Sequence, residues 1–266
     1  MITASITYTG GIYGMGVTYT SNAATLTVSA NGMATGAVAF GTSSMQSGMG
    51  TMNGTNTMGG MNMMPIGRSV QGTLVSLKDS QGQTVVAMTD GNGRYQLSTS
   101  GLSGPFLLKA QDNQGHALFS FSGTGGVINI TPVTDLMVQM WYDTHGTTPE
   151  AAFANPAAYP VPSTAELAVL NKTLTGLLAD SLTREGLDTA KFDLIATPFT
   201  ADGTGFDHIL DNTVIATVNG ETVVHDELSD NEAVMLFDQA HNSIALTSIS
   251  HASRNAAITN SMVVLK

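Results

Sequence analysis

The sequence predicts a mainly β protein in which antiparallel strands joined by tight turns are interrupted by a helical insert and followed by closing hairpins. Three observations carry that expectation. Thr (35 residues) and Gly (29) dominate, while charged side chains make up 11% of 266 residues, against about 25% in an ordinary soluble domain. Apolar and polar residues alternate with period two along several short runs, and Asp-, Asn- and Gly-bearing turns separate those runs. Hydrophobic residues reach 42%, enough at this length for one large or two modest cores.

Charge and cysteine content exclude several classes of function. A net charge of -11 leaves no basic surface for a phosphate backbone, so nucleic acid is not an expected partner. Cysteine is absent, which removes disulfides, thiolate metal sites and a cysteine nucleophile. No run of 18 apolar residues occurs, so no membrane span is expected, and residues 1–20 lack the basic start and apolar block of a signal peptide.

The charges are unevenly placed. From Met1 to Gly67 there is no Asp, Glu, Lys, Arg or His, where an even spread would put about seven charges. Residues 1–33 begin with Ile2, Ala4, Ile6 and Tyr8 alternating with polar residues, a half-buried strand pattern ended by Gly10-Gly11. Short runs at 16–20 and 24–30 follow, then Asn31-Gly32 as a turn before a run at 34–40. Natural edge strands are kept apart by Lys, Pro or inward charges, and this segment has none of them. Its edges are expected to be occupied by a neighbouring copy, with Ile2, Ala4, Ile6 and Tyr8 as the assembly strand. Cover by the chain's own helices is the alternative.

A Met-rich insertion at 42–66 holds Met45, Met49, Met52, Met58, Met61, Met63 and Met64 among Gly, Asn, Ser and Thr. It has neither helical nor strand period, so a loop is expected. Soft thioether sulfurs suit Cu(I), which makes these residues a candidate metal site; flexible Met side chains filling an adaptable contact surface are the competing reading.

From Arg68 the strand pattern sharpens, with turns at Asp79-Ser-Gln-Gly82, Asp90-Gly-Asn-Gly93 and Asp112-Asn-Gln-Gly115. Through Val75-Ser76-Leu77-Lys78-Asp79 and Thr89-Asp90-Gly91-Asn92-Gly93-Arg94-Tyr95-Gln96-Leu97, residues 34–130 resemble the carboxypeptidase-regulatory-like domain. The resemblance implies an Ig-like, transthyretin-like (Cna-B-like) antiparallel β-sandwich, of a kind found in exported bacterial surface proteins. It implies a noncatalytic module used for adhesion, spacing or assembly. Some related domains form internal isopeptide bonds between a Lys and a nearby Asn or Asp, for which Lys78 and Lys109 are the candidates here, although two exposed lysines at strand ends are the plainer reading.

Residues 131–212 read as a helical region. Thr131-Pro132 starts a helix whose apolar face is Val133, Leu136, Met137, Met140 and Trp141. Thr148-Pro149-Glu150 opens a short helix, and Ser163-x-x-Glu166 is a capping box before a Leu stripe that runs from Leu167 to Leu182 and stops at Gly186. The loop from Phe199 to Asp211 carries Asp202 and Asp207 and invites a calcium reading, but it lacks the alternating ligands and terminal Glu of an EF-hand, so a turn with a Thr204 cap is expected. Residues 213–266 form a C-terminal hairpin region, announced by Asn219-Gly220 and continued by runs at 232–237, 243–249 and 258–265.

Catalytic motifs are missing. There is no H-x-x-x-H pair, no G-x-S-x-G, no P-loop and no strand-to-helix G-x-G-x-x-G. The expectation is a protein that is not an enzyme, needs no cofactor, lies outside the cell or on its surface, and self-assembles as a homo-oligomer or polymer through strand exchange or edge pairing. The alternative is a secreted or periplasmic binding module for Cu(I) or a glycan.

Overall fold

A computed structural model of the protein describes residues 7–10, 17–20, 32–40, 71–113, 115–218, 221–229, 231–238 and 243–250. It is a mixed structure of antiparallel sheets and a few helices. The assembly residues Ile2, Ala4 and Ile6, all seven Met of the insertion, and the runs at 24–30 and 258–265 lie outside the described residues.

β1 (Thr7–Gly10) and β2 (Val17–Thr20) form an antiparallel pair that sets Tyr8 opposite Tyr19. β3 (Met33–Ala37) lies at the centre of a three-stranded sheet, between β6 (Arg94–Ser98), antiparallel to it, and the short parallel β9 (Gly126–Val127). A four-stranded antiparallel sheet has the order β5-β4-β7-β8, with β4 at Leu74–Lys78, β5 at Thr84–Met88, β7 at Phe106–Gln111 and β8 at Ala117–Ser122. Alternation aims Ala34, Tyr95 and Leu97 of the first sheet and Val75, Leu77, Leu108 and Ala110 of the second into one apolar cluster.

The three Asp-containing turns share one construction. In each, the Asp Oδ1 accepts the N–H four residues later: Gln83 at 2.8 Å, Arg94 at 2.9 Å and His116 at 2.8 Å. The Asp N–H in turn donates to the carbonyl of that same residue, so backbone and side chain close the turn together. The fourth position requires positive φ and is Gly each time (Gly82, Gly93 and Gly115).

The helices follow. α1 (Pro132–Thr144) starts at a Thr131/Thr134 capping box, and α2 (Pro149–Ala154) is capped by Thr148. α3 (Thr164–Leu177) starts at the expected Ser163/Glu166 box. The Leu stripe does not continue as one helix to Gly186. It breaks at Leu178 (φ -90°, ψ 9°) and resumes as α4 (Ala179–Arg184), where the buried Ser181 hydroxyl donates to Asp226 Oδ2 at 2.6 Å. That bond ties α4 to Asp226, 45 residues away, a contact no local spacing reports.

α1 is not the amphipathic helix its spacing suggests. It is buried nearly all round, Thr134 and Tyr142 included. The cause is that α1 packs on β8 along one side and against α2 and α3 along another, in a second cluster containing Phe119, Phe121, Trp141 and Leu174.

After α5 (Phe206–Asp211), the last sheet runs in the order β10-β11-β12-β13. Its strands are β10 (Thr213–Val218), β11 (Glu221–Asp226), β12 (Asn231–Asp238) and β13 (Ser243–Ser250). The β10–β11 pairing sets Val218 opposite Glu221, the register that an Asn-Gly turn prescribes.

Candidate functional site: an open strand edge and a groove

The β5-β4-β7-β8 sheet has two edges, and the chain treats them differently. At β8, the first turn of α1 caps the exposed backbone: Phe119 N–H donates to Asp135 Oδ1 at 2.9 Å, and Thr134 Oγ1 donates to the Phe119 carbonyl at 3.2 Å. Gln139 Nε2 donates to the other Asp135 oxygen at 2.6 Å, which completes the clamp. β8 therefore cannot recruit another strand at that point.

Among the described residues β5 has no such guard, and its one strand partner is β4. Thr84–Met88 contains no charged residue and no Pro. The helices cover the β7/β8 half of the outer sheet face, where Leu107, Phe119 and Phe121 join the helical cluster, and reach β4 at Lys78, but leave Leu74, Val86 and Met88 exposed. Among the described residues the exposed large hydrophobics are Leu74 (40%), Val86 (59%), Met88 (58%) and Val169 (41%). Three of these four belong to β4 and β5, with Leu74 directly opposite Met88. Exposed apolar residues gathered on an unpaired edge mark an interaction surface more clearly than scattered ones do.

Beside Met88 a groove of about 630 Å³ opens on the outer face of the three-stranded sheet. Its floor is a cross-strand row of Gln96, Thr35 and Val127, set by the β6–β3 and β3–β9 registers. One wall is the segment containing Pro198 and Phe199. Buried Asn129 holds that wall: its N–H donates to the Ile195 carbonyl at 2.8 Å and its Nδ2 to the Thr197 carbonyl at 2.7 Å. Arg94 reaches from the sheet to the wall, donating from Nη2 to Thr200 Oγ1 at 2.9 Å. Among the described residues no carboxylate lies within ion-pair distance of its guanidinium. Asp90, at the rim, is held below the ordinary carboxylate value mainly by the Arg94 and Asn92 N–H groups on its Oδ1.

The remaining sequence-derived candidates are dispersed. Tyr8 lies in β1, and Met45, Met49, Met52, Met58, Met61, Met63 and Met64 are not described. In the 199–211 loop, Thr204 does not cap α5. Its hydroxyl and N–H both donate to Asp202 Oδ1, the N-cap is Gly205, and Asp207 Oδ2 accepts the Gly203 N–H at 2.7 Å. Burial, with Asp211 and Asp202 nearby, pushes Asp207 up to about 6. Among the described residues no group of three His, Asp or Glu could hold a metal, and no helix is long and apolar enough to cross a membrane. The Lys78 Nζ donates to the Ala154 carbonyl at 3.3 Å and lies 4.9 Å above the Phe153 ring, and among the described residues no Asn or Asp is seen bonded to it. The edge and the groove, with Val86, Met88, Arg94 and Gln96, escape sequence reasoning because each is assembled from separate elements.

The Asp135 clamp predicts a pH dependence. Burial pushes this acid up to about 7, against the opposing pull of the Phe119 N–H and Gln139, while Glu150 adds to the rise. A folded value above the unfolded 3.8 means the native state holds the proton more tightly. The resulting stability is complete below about 4 and is lost as pH rises towards 7. Asp207 acts in the same direction. Asp79 acts oppositely: burial opposes its ionisation, but N–H groups of Ser103, Gln83, Gln81 and Gly82 outweigh it, so its contribution falls away in acid below about 4. The melting temperature is therefore expected to peak between about pH 4 and 5. Asp135→Asn, whose amide oxygen still accepts the Phe119 N–H, should flatten the decline between pH 4 and 7 in thermal melts; an unchanged slope would remove Asp135 as its source.

No family model, curated protein or solved structure matches the chain.

Proposed function

We propose that the protein is a noncatalytic structural protein that assembles with copies of itself by β-strand addition at the β5 edge, building a filament or surface layer. The observation that carries this reading is the unguarded, uncharged strand Thr84–Met88, with Val86 and Met88 exposed, in a sheet whose opposite edge is capped. Subunits of net charge -11 repel one another, so a joint forms most readily between surfaces without acids. Residues 1–67 carry no charged side chain, and the donor in this reading is the segment of Ile2, Ala4, Ile6 and Tyr8 from the next copy. Main-chain hydrogen bonds supply the affinity and Val86 and Met88 the apolar contact. Because donor and acceptor differ, the contact is head-to-tail and repeats into a fibre.

The two sheets around one apolar cluster support the finer reading of 34–130 as a transthyretin-like sandwich. The likeness to exported surface modules supports a place outside the cell or on its surface. Strand addition is tested by light scattering and electron microscopy of Val86→Lys. The variant is expected to keep its circular dichroism spectrum and melting temperature while associating at least about 30-fold more weakly, the effect of placing a charge on a pairing edge. A wild-type protein that stays monomeric at high concentration, or a variant that assembles as well as wild type, overturns the proposal.

A further inference from the structure

We infer that the groove beside β6 binds a carboxylate-bearing saccharide of the uronic acid type, with Arg94 receiving the carboxylate. The Arg94 guanidinium is oriented by one bond to Thr200, which leaves further N–H donors on a planar fork that fits a carboxylate in bidentate geometry. Gln96 donates its amide to the Met33 sulfur at 3.4 Å, which leaves its carbonyl oxygen as an acceptor. Asp90 uses Oδ1 on the turn and keeps Oδ2 for a ligand. Thr35 sits beside Gln96 on the floor with a hydroxyl that can donate or accept.

One cation beside a row of hydroxyl-matching acceptors suits an acid that also carries several hydroxyls. Val127 and Pro198 give the groove apolar surface for the C–H groups of a sugar ring. The volume of about 630 Å³ falls in the ordinary range for small-ligand sites and accommodates one or two sugar units. The site stands on rigid elements: three paired strands form the floor, and buried Asn129 ties the wall to them. The site adjoins the β5 edge at Met88, which borders both, but its polar groups Arg94 and Gln96 lie on β6 and Val86 on β5, so separate variants test the two readings.

Digalacturonate titrated into the full-length protein, followed by calorimetry and NMR, tests the assignment. Saturable binding is expected below about 10 mM, with Arg94→Gln weakening it at least about tenfold at unchanged melting temperature. Gln96→Ala is a second, fold-preserving variant expected to weaken it about threefold. Val86→Lys should bind as wild type does, so the result stands apart from the outcome for assembly. Equal binding of the neutral disaccharide lactose, binding of an acetylated dipeptide carboxylate in place of the sugar acid, or no saturable binding would each overturn it.

Discussion

Phe119→Ala is expected to cost about 3–5 kcal/mol of folding stability, the range for removing a buried aromatic ring from a core. The ring is 1% exposed and lies in the cluster that joins β8 to the helices. It meets Phe153 edge-on with centroids 6.1 Å apart, and the Phe153 face in turn lies beneath the Lys78 ammonium. Removing the ring therefore opens a cavity and also releases the ring that links α2 to β4. The backbone of residue 119 is fixed on both sides, by the pairing of β8 with β7 and by the Asp135 and Thr134 clamp. It cannot relax inward to fill the space, which puts the loss towards the upper end of the range. Urea unfolding measures it as a lowered midpoint at unchanged slope. Val169→Ala is the control, because that side chain is 41% exposed on α3 and its loss should stay within about 0.5 kcal/mol. Equal losses at the two positions would refute the packing described.

What the sequence makes legible is what local chemistry determines. The Asp-x-x-Gly turns, the Ser163/Glu166 capping box and the β10–β11 hairpin each depend on residues within five positions of one another, and each forms where expected. The β-rich, antiparallel character follows from the same local patterns. Long-range contacts are a different matter. The Ser181–Asp226 bond that anchors α4 spans 45 residues, and the Arg94–Thr200 bond across the groove spans 106. Asp135 reads in sequence as an acid in a first helical turn, favourable to the helix dipole; its role as cap of a strand edge appears only once α1 lies on β8. β5 resembles any other alternating strand in sequence, and only the order of the sheet makes it an edge. The candidate residues that depend on the uncharged N-terminal tract and the Met-rich insertion lie outside the described residues, apart from Tyr8 in β1.

Gly36→Ala is expected to destabilise the protein by about 3 kcal/mol or more, the upper end of overpacking costs, although it adds a single methyl group. A Cβ at Gly36 would stand 2.0 Å from the Ile128 carbonyl oxygen, 2.7 Å from its carbon and 3.1 Å from the Tyr95 ring. The first two are backbone atoms, so no rotamer change relieves the overlap. Ile128 is also tied to β3, its N–H donating to the Thr35 carbonyl at 2.7 Å, and its carbonyl accepts the buried Tyr95 hydroxyl. Moving Ile128 far enough to admit the methyl would stretch the β3–β9 pairing and strand that hydroxyl without a partner, a further loss of about 1–3 kcal/mol. The same displacement would spread the Thr35–Val127 floor of the groove, so digalacturonate binding should disappear along with stability. Gly176→Ala makes the opposite test of the same substitution. Gly176 lies in α3 with nothing within 4 Å of its would-be Cβ, and alanine there should stabilise by about 0.5–1 kcal/mol through reduced backbone freedom in the unfolded chain. Opposite signs for the two variants in parallel urea titrations are the expected result, and a Gly36→Ala protein as stable as wild type would show that β9 does not approach β3 this closely.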